Sequence, residues 1–526
     1  MQIDVISDIQ TLSSLRNNWD VVYEADPEAH FFLSSSWLFQ RLKRVNAPWI
    51  VLAARPANTA SPHVAFFPLR LRLKTGNDGR FYSEIAMAGA PLADYTGFLC
   101  APEYVESAAA AFATYIKTLN WAHLDLAHIL ASDRRLRALL RCFPQDAFRM
   151  GAIRQVNSDN VDNSICPRLR LPHDWESYLN NTLRPNTRQK VRRFLKQVET
   201  SREFHITRAT AETVESDIDV LLRLWEEKWG PRKGERLEAI RKAARVMLLD
   251  CFASGSLFLP ILWKGGAPIG ALASMIDTKN KSLLFYMGGR LQGLNNPPPG
   301  LVLHAYSIRT FIAAGFETYD LLRGNEAYKY TLGAEERHIR SIIIARTRNG
   351  CSLRSTLDRR TLPLLLQQVS ALEQAGRLDE AERGYREALG SQPDCPAVLY
   401  RLGVLMIMKG NFCEAESMFR ATIEAEPSSC KAWFRLAQSL QAQGHLSGAS
   451  NAYEEIIKRQ PAFPRAHYNL GIIQIKRGRF RDAVASFQAE LQLRPDDAKT
   501  KVFFAKAIAA AESRDAMPPT LLSAKR

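Results

Sequence analysis

A chain of 526 residues is too long for one hydrophobic core, and about 100–200 residues per domain predicts roughly three units. Hydrophobic residues make up 46% of it, no apolar run approaches the ~20 residues that span a bilayer, and the eight cysteines are scattered without Cys-x-x-Cys pairs; a disordered chain, a membrane-spanning helix, a zinc site and a disulfide framework are therefore not expected. The formal net charge of +16 favours anionic partners such as phosphates, nucleotides, RNA or acidic lipid, and because residues 362–526 carry 22 basic and 18 acidic side chains, +12 of that charge lies in residues 1–361.

In chain order, the opening MQIDVISDIQ has neither the basic nor the apolar segment of a secretory signal, which with reduced cysteines predicts a cytoplasmic protein. Strands are predicted at WIVLAARP (49–56), HVAFFPLRLRL (63–73) and FYSEIAMAG (81–89), a helix over 104–119, and a strand at HLDLAHI (123–129). Residues 177–198 hold Arg184, Arg188, Lys190, Arg192, Arg193 and Lys196 and no acid. At helical spacing Arg184, Arg188 and Arg192 share one face, which suits either an anion-steering surface or a solvated helix with Val191, Phe194 and Leu195 packed beneath. Trp225 and Trp229 follow at i, i+4, a spacing that suits core packing or the lining of a cleft.

The pattern then repeats about 200 residues on. Strands are predicted at SLFLPILW (256–263), IGALASMI (269–276) and SLLFYMGG (282–289), a helix over 301–314, and a strand at TYDLL (318–322). Lys264-Gly265-Gly266-Ala267 suits a tight hairpin. Leu301, Ala305, Ile308 and Ile312 form the stripe that would bury the helix, Gly315 its stop, and His304 on the flank reads as a core residue or a general base. The stretch YDLLRGNEAYKYTLG (319–333) carries Asp320 inside an apolar strand and Arg323, Tyr328 and Lys329 just beyond it. Such a change at a strand end is either an exposed edge, a structural ion pair, or the rim of a site, because α/β sheets place ligands at strand ends.

Three antiparallel strands, a helix and a further strand form the later part of the GNAT acyltransferase fold. Through LRPNTRQKVRRFLKQVE, WEEKWG, APIGALA, YMGGRLQGLNNPPPGLVLHAYSI and YDLLRGNEAYKYTLG, residues 165–345 resemble the acetyltransferase domain of the family that includes cellulose-biosynthesis acetyltransferases, a relative of the Fem peptidyltransferases with their two GNAT-like units. ADYTGF in the first half resembles that family's Asp-Tyr stretch. The resemblance implies an acetyl-CoA or other acyl-CoA co-substrate and no metal, with an N- or O-acyl transfer to a polysaccharide precursor, sugar or other small acceptor. The cofactor would lie on Gly288, Gly289, Asn296, Gly300 and Leu301, its diphosphate at the helix start after GLNNPPPG, with Arg188 and Arg192 steering it. The alternative for that loop is a proline-stiffened turn before a core helix; a GNAT loop is usually rich in Gly with Arg or Gln, and this one is not. Asp320 would orient a positive group or accept the acceptor's proton, Arg323 and Lys329 would hold anionic oxygens, and Tyr328 would protonate the departing thiolate. Asn325 stands where relatives often have an acid. Aminoacyl-tRNA-dependent transfer and a catalytically inert scaffold are the alternatives.

The last third is periodic. Gly376, Gly410, Gly444 and Gly478 stand 34 apart, as do Ala381, Ala415, Ala449 and Ala483, the aromatics Tyr385, Phe419, Tyr453 and Phe487, and Pro393, Pro427, Pro461 and Pro495. Period and residue types resemble the tetratricopeptide repeat, whose solenoids present a protein-binding surface. The glycine would end each first helix, the small alanine allow close approach, the aromatic fill the gap and the proline stop the second helix. KVFFAKAIAAAE would cap the array. The expected architecture is thus two tandem α/β GNAT-like units with mixed sheets, at 1–165 and 166–347 with acyl-CoA in the second, a linker at 348–361, an all-α tetratricopeptide solenoid with its cap at 362–512, and a tail at 513–526.

Overall fold

The computed structural model describes residues 1–57, 61–153, 155–157, 159–294, 296–347 and 356–515, with side chains to residue 513. Most of the expected linker and tail lies outside them; residues 513–515 end a helix, Ala498–Asp515. The chain forms two compact units, Met1–Arg72 with Ser83–Ser352, and Leu73–Tyr82 with Leu353–Arg526.

The first unit holds two mixed sheets. In the first, the strands run in the order Gln2–Ile6, Trp49–Arg55, Ala65–Thr75, Phe81–Met87, His123–Ile129, Arg340–Arg346, Phe148–Ala152, with Leu99–Cys100 beside the third. In the second, the order is Arg168–Arg170, Thr318–Asp320, Ser282–Arg290, Ala267–Asp277, Pro260–Lys264, Phe204–Arg208, with Leu257–Phe258 paired to Ala267–Asp277. The β-β-β-α-β pattern read twice in the sequence is built twice. Each helix connects two strands that pair in parallel: Phe81–Met87 with His123–Ile129 around helix Val105–Thr118, and Ser282–Arg290 with Thr318–Asp320 around helix Pro299–Ala313. That geometry follows from chain length, since parallel neighbours need a crossover where antiparallel ones need a tight turn. The turn appears at Gly265-Gly266, where Lys264 pairs with Ala267 and both glycines take positive φ, 54° and 81°.

Each helix buries the face its sequence sets. Ala108, Ala109, Phe112, Ala113 and Ile116 pack on the first sheet, and Ala305, Ile308 and Ile312 pack on the second with Val302, Leu303 and Phe311. Strand Arg340–Arg346, though late in the chain, lies in the first sheet between His123–Ile129 and Phe148–Ala152, so the two halves are interleaved and share one unit.

The second unit is a succession of helix pairs, beginning with Leu362–Gln374 and Leu378–Ser391 and closing with Ala498–Asp515. Gly376, Gly410, Gly444 and Gly478 all take positive φ, between 71° and 81°, at the ends of the first helices. The alanine and aromatic columns are fully buried. A Cβ on Gly403 would stand 2.7 Å from the Phe419 ring and one on Gly471 2.8 Å from Phe487, so close approach explains these residues at the inner helix positions. Among the described residues no helix is long and apolar enough to cross a membrane.

Candidate active site

Strand Ser282–Arg290 pairs with Thr318–Asp320 over only three residues, ending at Leu284 and Asp320. Just past that point the strand bulges. Ala273 faces Met287 and Ser274 faces Phe285, which leaves Tyr286 as the extra residue. The parallel strands part, and a cavity of about 460 Å³ occupies the gap. Phe285–Arg290 form one wall and Leu321–Arg323 the other; the start of helix Pro299–Ala313, the last turns of helix Val214–Lys233 and the short helix Ala327–Thr331 complete it.

Glycine makes this packing possible. A Cβ on Gly289 would sit 2.4 Å from the Trp225 nitrogen, and one on Gly270 2.7 Å from Pro299. Gly300 is different: its missing side chain faces open space, with only Arg290 Nη1 near, 4.0 Å away. Arg290 and Lys228, both on the cavity wall, make no ion pair among the described residues, although Glu326 on the same wall attracts Lys228 from further off. Lys228 lies over the Trp229 ring at 4.5 Å, and burial together with Arg290 lowers its pKa.

Of the residues expected from sequence, Gly288, Gly289, Gly300, Leu301, Arg323, Tyr328 and Lys329 line the cavity. Asp320, Asn296, Arg188 and Arg192 do not. Asn296 is exposed in the preceding loop. Arg192 pairs with Glu176 and Arg188 reaches Asn180 at 3.4 Å, on the solvent side of helix Pro185–Thr200, whose Val191, Phe194 and Leu195 are buried.

Asp320 turns inward. It accepts hydrogen bonds from the Tyr95 hydroxyl on both oxygens, at 2.8 and 2.9 Å, and from the Leu322 N–H at 2.8 Å. Burial raises its pKa against the pull of Arg337 and of these donors. The Lys329 ammonium, almost fully buried, donates to the carbonyls of Arg323 and Gly324 at 2.8 and 2.9 Å and pairs with Glu326 at 3.0 Å. With two carbonyls and a carboxylate around it, the ammonium pins the turn after the strand. Arg323 is gripped by Asp94 at 2.6 Å and by His128, whose Nε2 lies 2.7 Å from its Nη1. Burial and this guanidinium lower the pKa of His128, which keeps it a neutral acceptor. Leu322 and His128, either side of this contact, both take left-handed φ, 53° and 59°, a strained conformation that such side chains hold only when their surroundings impose it. Tyr328 stands on the cavity wall, its ring 5.9 Å from that of His304, and burial followed by Glu326 raises its pKa, so the phenol keeps its proton.

Sequence reasoning missed Arg290, Lys228 and Asp94. Each is one charge among many, and the signal lay only in the quoted stretches that contain them, YMGGRLQGLNNPPPGLVLHAYSI, WEEKWG and ADYTGF. Among the described residues no cluster of His, Cys, Asp and Glu could hold a metal ion.

Residues 185–330 match the family model described as an acetyltransferase (GNAT) domain, and residues 372–440 and 434–498 match models described as tetratricopeptide repeats. No curated protein matches the chain. Among solved structures, the crystal structure of FemX is similar at 11% identity over 65% of this chain and 97% of that one, with a TM-score of 0.45. MamA from Desulfovibrio magneticus RS-1 is similar at 20% identity over 29% of this chain and 97% of that one, with a TM-score of 0.25. On the family models alone, residues 185–330 hold a GNAT-type acetyltransferase domain and residues 372–498 hold tetratricopeptide repeats.

Proposed function

We propose that the first unit is an acyl-CoA-dependent N- or O-acyltransferase, with its donor bound in the cavity between the parted strands. The observation that carries this reading is the start of helix Pro299–Ala313. There Gly300 leaves open space, the N–H groups of Gly300 and Leu301 begin the helix, and Arg290 and Lys228 stand by without an ion pair among the described residues. Free amides, the positive end of a helix dipole and two uncommitted cations suit a diphosphate. The strand wall beyond Leu284 has lost its parallel neighbour, and its amides are suited to polarising a thioester carbonyl.

In this reading the acceptor's hydroxyl or amine attacks the carbonyl directly, the carbon–sulfur bond breaks, and Tyr328 protonates the thiolate. Asp320 acts as a positioning group: through Leu322 it shapes the wall that presents Arg323. Lys329 holds the same turn from below. The acceptor is a sugar, a polysaccharide precursor or another small molecule, and the repeat array recruits a protein partner. Deleting residues 362–526 is expected to end co-purification with that partner and to leave acyl-CoA binding intact.

Native mass spectrometry of the full chain with a panel of acyl-CoAs tests the donor assignment. A 1:1 complex with at least one thioester is expected; a chain that captures none rejects the reading.

A further inference from the structure

His304 lies on the cavity helix, with its ring in the cavity wall. Three neighbours fix its orientation. Its Nδ1 lies 2.7 Å from the hydroxyl oxygen of Tyr319, a fully buried residue of the neighbouring strand. The Phe285 ring meets it edge-on at 4.7 Å, and the Tyr328 ring tilts against it at 5.9 Å. With Nδ1 committed to Tyr319, Nε2 has no hydrogen-bond partner among the described residues. We propose that His304 Nε2 is the group that takes the acceptor's proton during transfer, and that Tyr319 is the positioning residue that presents it.

The proposal rests on the acyl-transfer reading above and names its base. It requires the tautomer in which Nδ1–H donates to the Tyr319 oxygen, which leaves the Nε2 lone pair toward the cavity. In that tautomer the Tyr319 hydroxyl oxygen accepts from Nδ1–H and turns its own hydrogen away from His304. The balance is simple. The acceptor's oxygen or nitrogen bonds to the acyl carbon, the carbon–sulfur electrons leave with the thiolate, Nε2 takes the acceptor's proton, and the Tyr328 phenol supplies one to sulfur. The imidazolium then gives its proton to solvent in the open cavity and the Tyr328 phenolate takes one back from it, so both groups return to their starting state. The titratable groups facing the imidazole are Tyr319 on its strand and Tyr328 and Lys329 on the short helix Ala327–Thr331. Burial first, and the Lys329 ammonium second, hold its pKa at about 3, so it enters the reaction neutral. A polyanionic donor at the helix start adds negative charge nearby and raises that basicity when it is needed.

Two measurements on the full chain test it. Diethyl pyrocarbonate, which acylates accessible neutral imidazole nitrogens, is applied to the unliganded protein and the modified histidines are mapped by mass spectrometry. His304 is expected to be modified, to be protected by saturating acetyl-CoA, and to react more slowly in Tyr319→Phe at unchanged acetyl-CoA affinity. A His304 left unmodified while exposed histidines react overturns the proposal without reference to any donor. Release of CoA thiol from acetyl-CoA, with water as acceptor, is then compared in wild type and His304→Asn. Asparagine keeps a polar atom for Tyr319 and removes Nε2. A loss of at least ~10²-fold is expected, with the dissociation constant for acetyl-CoA within about twofold of wild type. Equal release by the two proteins overturns the role of His304. Failure of the wild type to bind any acyl-CoA of the panel in calorimetry is a different result, which removes the acyl-transfer reading and this role with it.

Discussion

The Tyr95 hydroxyl donates to both oxygens of Asp320, 225 residues further along the chain, at 2.8 and 2.9 Å. The residue before it, Asp94, grips Arg323 at 2.6 Å. Two adjacent residues of ADYTGF thus hold two residues of YDLLRG, and the cavity wall at Leu321–Arg323 is shaped from the other half of the unit. The strained Leu322 lies between the two grips, its N–H bound by the same carboxylate.

Tyr95→Phe is expected to destabilise the first unit by about 1–3 kcal/mol at pH 7.5, because a buried carboxylate loses a donor. Burial already raises the Asp320 pKa, and removing the hydroxyl raises it further. A raised carboxyl favours the folded state at low pH and loses that contribution as pH climbs through its folded value. The deficit of the variant is therefore largest at neutral pH and shrinks toward pH 4–5. Urea unfolding across this range checks it; a pH-independent difference contradicts it.

Arg290→Ala and Lys228→Ala are each expected to weaken acyl-CoA binding by about tenfold, the worth of one hydrogen bond to a charged group, with little change in stability. Neither cation makes an ion pair among the described residues, so folding has little at stake. The effect is expected to shrink in high salt, as screening weakens every remaining contact to the phosphates. Calorimetric titration at low and high ionic strength measures both.

Acid sensitivity is expected from His30 and His304, whose pKa values burial lowers to about 3. A depressed imidazole stabilises the fold above its unfolded value of about 6.5 and loses that contribution as pH falls toward 3, at up to ~1.4 kcal/mol per unit and group. His30 packs edge-on against Phe32 and Tyr95, so an aromatic replacement fits the same space. His30→Phe is expected to match wild type at pH 7.5 and to unfold at higher urea than wild type at pH 5. Equal midpoints at pH 5 would count against a buried neutral His30.

In the repeat unit, Gly403→Ala is expected to cost about 1–3 kcal/mol, because its methyl group would press on the Phe419 ring. Gly410→Ala should cost about 1–2 kcal/mol for a different reason, its left-handed φ of 77°. Calorimetric scans of the full chain would show the repeat transition moving down in both, with the transition of the first unit unmoved.

Periodic features were readable from residues alone. The four glycines of the array, the Gly265-Gly266 turn and the stripe Ala305, Ile308 and Ile312 each state a local geometry, and local geometry is what spacing encodes. Direction and distant pairing were not readable. Asp320 and Lys329 fall where a site would place charges, yet one turns toward Tyr95 and the other toward the carbonyls of its own turn. Strand Arg340–Arg346 pairs with a partner more than two hundred residues earlier, and nothing in its own seven residues names that partner. Arg290 and Lys228 matter because of what they lack, and an absent partner leaves no mark in a sequence.

The central claim is that the start of helix Pro299–Ala313 holds the diphosphate of an acyl-CoA. Calorimetric titration of wild type and Gly300→Trp with the same acyl-CoA tests it most directly, since that side chain would enter open space beside Arg290 and leave the core alone. Binding by wild type and its loss in a variant that unfolds at the wild-type urea concentration is the predicted result. Equal affinity in the two proteins, or no affinity in either, would contradict it.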